Sequence, residues 1–427
     1  MTKAQELLSF IDKSPSAYQA VQTCADMLLG AGYTRLCESD SWALADGGKY
    51  FVVRNGTSII AFNYSAGAEG FNIVSSHSDS PSFRVKPVTV TGGGYSKLWV
   101  ERYGGAILYS WFDRPLSVAG RVVLRTEKGV EWRNVCLDRD LLTIPSLSIH
   151  MNRGVNDGVK INPAKEMLPL YTLDGGAEDL LDDIAEALSV SKGDIISHDL
   201  FIYNREKGRT LGRKNELIQS PRLDDLGCVF ASLDGFLNAR ACASTVQVFA
   251  VFDNEEVGSD TKQGAASTFL FDTLNRVAGD ADRYRRMVDN GFMVSADNAH
   301  AIHPNYPEMS DRENAPVLGK GVVIKYNANQ KYATDGVSAA IFETVCKRAG
   351  VPTQNYCNRA DLPGGSTLGS ISNTKVSLYT VDIGLPQLAM HSSCETAAAA
   401  DVDYMCLALA EFYATPLKRQ SDSRIDF

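Results

Sequence analysis

The sequence predicts an α/β protein built on a mixed sheet, with a second, β-rich domain inserted into it. Three observations predict this. The segment VQVFAVF at 246–252 is apolar but for Gln247, as in a strand covered on both faces. From about residue 210 onward, strand signals and helix signals alternate. Between them, from about 90, the texture turns to short alternating strands and turns, beginning with TVTGGGYSKLWVERYGG. The predicted division is 1–89 with 210–427 as a discontinuous main domain and 90–209 as the insert. With 427 residues, the chain is long enough for two or three such units at about 150 residues each.

The first thirty residues read as two helices broken at Ser14-Pro15, where Ser is a good cap and Pro is tolerated in the first turn; Gly30 and Gly32 end the second. Tyr50–Val53, Thr57–Tyr64 and Phe71–Ser76 are rich in β-branched and aromatic residues and bounded by Gly, Asn and Ser, so they read as strands. In the insert, strand signals fall at Val122–Leu124 and Val130–Val135, an acidic helix at Gly176–Leu188, and a strand at DLFIYN, 199–204. Beyond it the pattern gives a helix at 225–238, strands Val246–Phe252 and Phe292–Ala296, a helix at Val337–Ala349, a strand at Leu378–Ile383 and a long helix at 395–413. The helix from 337 sets Val337, Ala340, Ile341, Thr344 and Val345 on one face, and Gly350 stops it.

Composition excludes several classes. A hydrophobic fraction of 44% and a charged fraction of 22% are those of a globular chain, not a disordered or fibrous one. Lys and Arg number 42 against 51 for Asp and Glu, and the resulting charge of −9 repels a phosphate backbone, so nucleic acid is not an expected partner. No apolar run reaches the ~18 residues that span a bilayer, so no membrane is expected either. The opening MTKAQELLSFIDKSPS lacks a basic leader and an apolar segment, which makes the cytoplasm the expected location. Nine scattered cysteines contain no CxxC pair and read as reduced thiols.

The chemistry collects where predicted strands end. Ligands in open α/β sheets gather at the carboxyl ends of strands, and here the strand at 71–76 runs into His77-Ser78-Asp79, the strand at 246–252 into Asp253-Asn254-Glu255-Glu256, and the strand at 292–296 into Asp297. Asp224 lies in PRLDDL before a helix, and His391 follows the strand at 378–383. Singly these are weak signals, because a His-x-Asp arises by chance and a Glu doublet is usually solvated. Together, imidazole and carboxylate without thiolate point to Zn, Mn or Co in a hydrolytic role. Two metals need a bridging carboxylate. The chain has enough for one bridge, two terminal ligands and one spare. In an extended Glu255-Glu256 the side chains point to opposite sides, so that one ligates while the other takes a proton from water.

Eight ordered blocks carry a family resemblance: FIDKSPSAYQA, SSHSDSPSFRVKP, IPSLSIHMNR, SPRLDDL, FDNEEVGS, SADNAHAIHPNY, GVVIKYNANQKYATD and LPQLAMHSSCETA. With them the sequence resembles the aspartyl aminopeptidase family, co-catalytic zinc exopeptidases with an inserted dimerisation domain. The resemblance implies two divalent ions per subunit, one held by His77, Asp224 and Asp297 and the other by Asp224, Glu256 and His391. Glu255 is then the general base, and Asp79 orients His77. It implies that His150 reaches into a neighbouring subunit's site to steady the tetrahedral intermediate, and that dimers assemble into a twelve-subunit tetrahedral shell admitting peptides with a free N-terminus. Lys325 matches the family lysine associated with pairing an acidic substrate side chain, and implies a preference for N-terminal Asp or Glu. Asp225 where the family often has Asn, and FDNEE in place of a DHEE-like form, are departures that touch no ligand. A cis bond at Asp224-Asp225 is also implied. From the residues themselves, Gly364 and Gly365, with Ser366 and Thr367, form a turn able to present backbone donors to substrate, while His198, His300 and His303 read as structural. The competing readings are a carboxypeptidase or amide deacylase on a related co-catalytic metal fold, and a non-catalytic shell protein.

Overall fold

The strands Gly70–His77 and Thr245–Phe252 are buried at every residue, as in strands covered on both faces. They lie side by side, parallel, in the middle of a nine-stranded mixed sheet. The computed structural model describes residues 1–92, 94–173 and 180–427. Packing divides them into two units, Met1–Asp79 with Gly208–Met390 and Glu395–Phe427, and Ser80–Lys207 with His391–Cys394.

In the first unit the sheet order is Thr34–Leu36, Lys49–Arg54, Ser58–Asn63, Thr245–Phe252, Gly70–His77, Phe292–Ala296, Tyr379–Gly384, Val322–Tyr326, Thr353–Cys357. Alternate residues of each central strand serve opposite cores. Val74, Phe249 and Val251 pack with the helices Leu223–Asn238, Gly336–Arg348 and Ala399–Ala414, whereas Ile73, Val248 and Ala250 pack with Phe269–Ala278 and Ala281–Asp289. Two amides interrupt the apolar pattern for a reason. Asn72 Nδ2 donates to the carbonyls of Phe412 (3.1 Å) and Thr415 (2.7 Å), and Gln247 Nε2 to that of Tyr413 (2.9 Å), satisfying the orphan carbonyls where the helix Ala399–Ala414 ends.

Several elements differ from the sequence reading. The last long helix starts at Ala399, because Glu395–Ala398 is a strand paired with Leu217–Ser220. The helix Gly336–Arg348 buries Ser338, Ala339, Ile341, Phe342, Val345 and Cys346, leaving Val337, Ala340 and Thr344 exposed. Its start is fixed by a capping box, in which the Asp335 carboxylate accepts from the amides of Val337 and Ser338 while Ser338 Oγ accepts from the Asp335 amide. The helices Phe269–Ala278 and Ala281–Asp289 have no counterpart in the sequence reading; the second buries only Met287.

In the second unit a six-stranded antiparallel sheet runs Gly129–Cys136, Leu116–Thr126, Ile195–Asn204, Ser82–Gly92, Tyr95–Tyr103, Leu170–Thr172. Phe83, Trp111, Val118, Leu200 and Ile202 are among its core residues. Ser82–Gly92 pairs with Ile195–Asn204, which is why the unit begins at Ser80 where the sequence reading set 90. The acidic helix spans Leu180–Leu188, and the expected stretch 176–179 lies outside the described residues. Among the described residues no helix is long and apolar enough to cross a membrane.

Candidate metal centre

Register delivers the site. His77 ends one strand opposite Phe252, and Phe292–Ala296 flanks the same strand on its other side, again parallel. Three adjacent carboxyl ends therefore bring His77, the turn at Glu255-Glu256 and Asp297 to one edge of the sheet. Asp224 and Asp225, joined by a cis peptide bond, open the helix Leu223–Asn238 with non-helical dihedral angles.

One atom from each of His77, Asp224, Asp225 and Asp297 lies within 4.8 Å of the others, and the same holds for His77, Glu255 and Glu256. His77 Nε2 is 3.5 Å from Asp224 Oδ1, and His77 Nδ1 is 3.3 Å from Asp79 Oδ1 and 3.1 Å from the Asp79 carbonyl oxygen. The Asp79 carboxylate also accepts from the amides of Glu255 (3.1 Å) and Glu256 (3.2 Å). One side chain thus fixes both the imidazole and the doublet. The doublet is not extended, as the sequence reading assumed. Asn254 adopts the left-handed region (φ 63°) and Glu255–Val257 forms a 3-10 turn whose first two amides point at Asp79. Asp225, read as touching no ligand, accepts from the His77 amide at 3.1 Å.

The charges are crowded and dry. His77 is 1% exposed, and Asp79, Asp224, Asp225 and Asp297 are buried with it. Burial, reinforced by Asp297, Asp79 and Asp224 and opposed by His77, pushes the Glu255 carboxyl up to about 8. Burial likewise raises Asp297 against the pull of Lys325. For His77 burial acts downward but is outweighed by Asp225, Asp224 and Asp79, which hold the imidazole well above its usual value. An imidazole and several carboxylates without a thiolate suit zinc or a similar divalent ion, and buried anionic charge of this density calls for a cation.

The other expected residues fall as follows. Lys325 is 2% exposed, with Nζ 3.5 Å from Asp297 Oδ2 and 2.8 Å from the Asp297 carbonyl oxygen, to which it donates. Gly364 abuts the Asn358 side chain so closely that a Cβ there would overlap it, and Gly365 is exposed. His150 is exposed in a turn of the second unit, between exposed Ile149 and Met151. His391, half-buried and left-handed (φ 68°), groups with the second unit, where its Nδ1 lies 3.3 Å from the Gly105 carbonyl oxygen. Sequence reasoning missed Glu395, a buried carboxylate accepting from the Asp224 amide at 2.9 Å; its signal was a lone acid at the head of ETAAAA.

The model of the Aminopeptidase I zinc metalloprotease (M18) family matches residues 10–413. The chain belongs to the M18 aminopeptidase family. It is a metallo-aminopeptidase. A probable M18 family aminopeptidase 2 of Clostridium acetobutylicum is 44% identical over 96% of this chain and 98% of its own. The aspartyl aminopeptidase of Dictyostelium discoideum is 38% identical over 95% of this chain and 94% of its own. Among solved structures, an Ape4 in complex with Nbr1 superposes with a TM-score of 0.94 at 36% identity, covering 96% of this M18 chain and 85% of the other. The dodecameric mApe1 of S. cerevisiae gives 0.85 at 26% identity, covering 96% of each.

Proposed function

We propose that this M18 aminopeptidase removes the N-terminal residue of peptides at a two-zinc centre, with His77, Asp224 and Asp297 holding one ion, Asp224, Glu256 and His391 the other, and Glu255 carrying the proton. The observation that supports this most is Asp79: one buried carboxylate faces His77 Nδ1 and accepts from the amides of Glu255 and Glu256, so a ligand, a second ligand and the base are set by a common anchor. When bound, the ions supply Lewis acidity, making water a nucleophile at neutral pH and polarising the scissile carbonyl. Glu255 accepts the attacking water's proton and returns it to the departing amine. Asp79 keeps the His77 ring in one orientation and tautomer. His150, exposed among apolar neighbours, serves the site of a second subunit, in keeping with the dodecamer formed by the S. cerevisiae relative.

The substrate class we assign is peptides with an acidic first residue. The Dictyostelium aspartyl aminopeptidase supports it, and Lys325 is the cation we assign to the task. A substrate carboxylate must then compete with Asp297 for the same buried ammonium. Replacement of Glu255 by Gln tests the central reading. It is expected to leave zinc binding intact and to lower kcat on aspartyl amides by roughly 10²–10⁴-fold. Wild-type turnover in that variant would remove Glu255 from the mechanism.

A further inference from the structure

Behind the carboxylates lies a buried polar chain with no part in the reaction described above. Glu395 Oε2 accepts from the Asp224 amide (2.9 Å), and Glu395 Oε1 accepts from Gln387 Nε2 (3.5 Å). Gln387 Oε1 accepts from Asn298 Nδ2 (2.8 Å), which donates also to the Leu223 carbonyl (2.8 Å). Asn298 Oδ1 in turn accepts from the thiol of Cys228 (3.1 Å). All four side chains are buried. Both ends of the chain terminate on the ligands' own backbone, for Glu395 holds the Asp224 amide and Asn298 follows Asp297 directly while gripping the residue before Asp224.

Donor and acceptor counts leave this network one arrangement. Asn298 uses both amide hydrogens on oxygen acceptors and presents its own oxygen to a thiol, and Gln387 must face its nitrogen toward Glu395 because its oxygen faces Asn298. Buried networks of this kind are rigid when every partner is complementary and costly when one is not.

We propose that Glu395, Gln387 and Asn298 are positioning residues that set the spacing of Asp224 and Asp297, and through it the affinity for zinc. This rests on the assignment of those two aspartates as co-ligands. Outer partners of this kind commonly govern metal affinity by 10–100-fold.

The decisive test moves the charge one place along the network. In full-length protein stripped of metal, zinc affinity is measured by competition with a chromophoric chelator, and the visible spectrum of the cobalt-loaded form is recorded. Glu395→Gln sets an amide nitrogen against an amide nitrogen, and Gln387→Glu sets a carboxylate against a carboxylate; each is expected to weaken zinc binding roughly 10–100-fold and to alter the cobalt spectrum. The double variant E395Q/Q387E restores a donor facing an acceptor at every link. It is expected to return zinc affinity to within about threefold of wild type, with its cobalt spectrum, by the same complementarity. A double variant no better than the weaker single would overturn the proposal. Should a single variant fail to fold, recovery of folding and zinc affinity in the double carries the same support, and the near-isosteric Gln387→Met supplies an independent loss of the link, with wild-type affinity there counting against it. Asp224→Asn separates the two levels: loss of zinc in D224N beside wild-type binding in E395Q and Q387E would overturn the network alone, while full zinc binding by D224N would overturn the ligand assignment beneath it.

Discussion

Gly384 ends the strand beside Asp297, and its lack of a side chain is what lets that strand approach. A Cβ built there would lie 2.1 Å from the Asp297 carbonyl oxygen and 2.9 Å from both the Ala299 nitrogen and the Asn298 carbonyl carbon. All three are backbone atoms, and the nearest is roughly an ångström or more inside ordinary contact. Relief requires the two backbones to separate, yet they are stitched on either side by hydrogen bonds from the Asp297 amide to the Ile383 carbonyl (3.0 Å) and from the Ala299 amide to the Leu385 carbonyl (2.8 Å). Gly384→Ala is therefore expected to reach the upper end of overpacking costs, about 3 kcal/mol, or a fall in Tm of roughly 3–5 °C. The displaced carbonyl is also the one that accepts from Lys325 at 2.8 Å, so the shift acts on the Asp297 carboxylate as well, and zinc affinity should fall by 10-fold or more. Gly30→Ala, with open space around its Cβ, is the control and should be neutral or slightly stabilising. Thermal melts and zinc competition on the two variants decide the matter. A G384A protein with wild-type Tm and zinc affinity would refute the claim that this strand contact places Asp297.

The remaining predictions bear on substrate choice, pH and assembly. Lys325→Met should erase most of the rate ratio between aspartyl and leucyl amides if Lys325 reads the substrate; an unchanged ratio with weakened zinc binding would assign it to Asp297 alone. Burial lifts the Asp401 carboxyl to about 6, against the amides of Gly319 (2.7 Å) and Gly321 (2.9 Å) that it accepts from. The folded state therefore holds this proton more tightly than the unfolded one, and stability falls as pH rises from about 4 through 6, by up to about 3 kcal/mol. Asp401→Asn should lack that slope, so its stability relative to wild type improves between pH 4.5 and 7.5; parallel curves in urea would contradict this. Mixed refolding of inactive His150→Ala and Glu255→Gln subunits should recover part of the activity through hybrid interfaces, and no recovery at any ratio would exclude a shared site.

Much of the fold was legible because strand and turn signals are local. A strand signal such as FNIVSS passing abruptly into His77-Ser78-Asp79 marks both a strand and the end at which candidate ligands gather, and the same holds for VQVFAVF before the glutamates. Polar helices on the outer faces were not legible in this way: ADRYRRMVD buries a single residue, so no apolar stripe announces it. The phase of the helix Gly336–Arg348 differs for a related reason: Ile341 and Val345 belong to both candidate faces, and it is Phe342 and Cys346, more apolar than Ala340 and Thr344, that turn the buried side.

Within the site, residue type was readable and pairing was not. That His77, Glu255 and Asp297 gather follows from three parallel strands, but the grip on them comes from positions far along the chain. The His77 amide meets Asp225 across 148 positions, the Glu255 amide meets Asp79 across 176, and the Asp224 amide meets Glu395 across 171. No window of sequence contains both partners, so a buried acid such as Glu395 looks like any other, and Asp225 reads as a substitution of little consequence. The burial that hides these acids from a sequence pattern is also what gives them influence, because a carboxylate removed from water is tolerated only where donors meet it. Buried acids outside the proposed ligand set are therefore informative here where they hold its backbone, as Asp79 holds the amides of Glu255 and Glu256 and Glu395 that of Asp224.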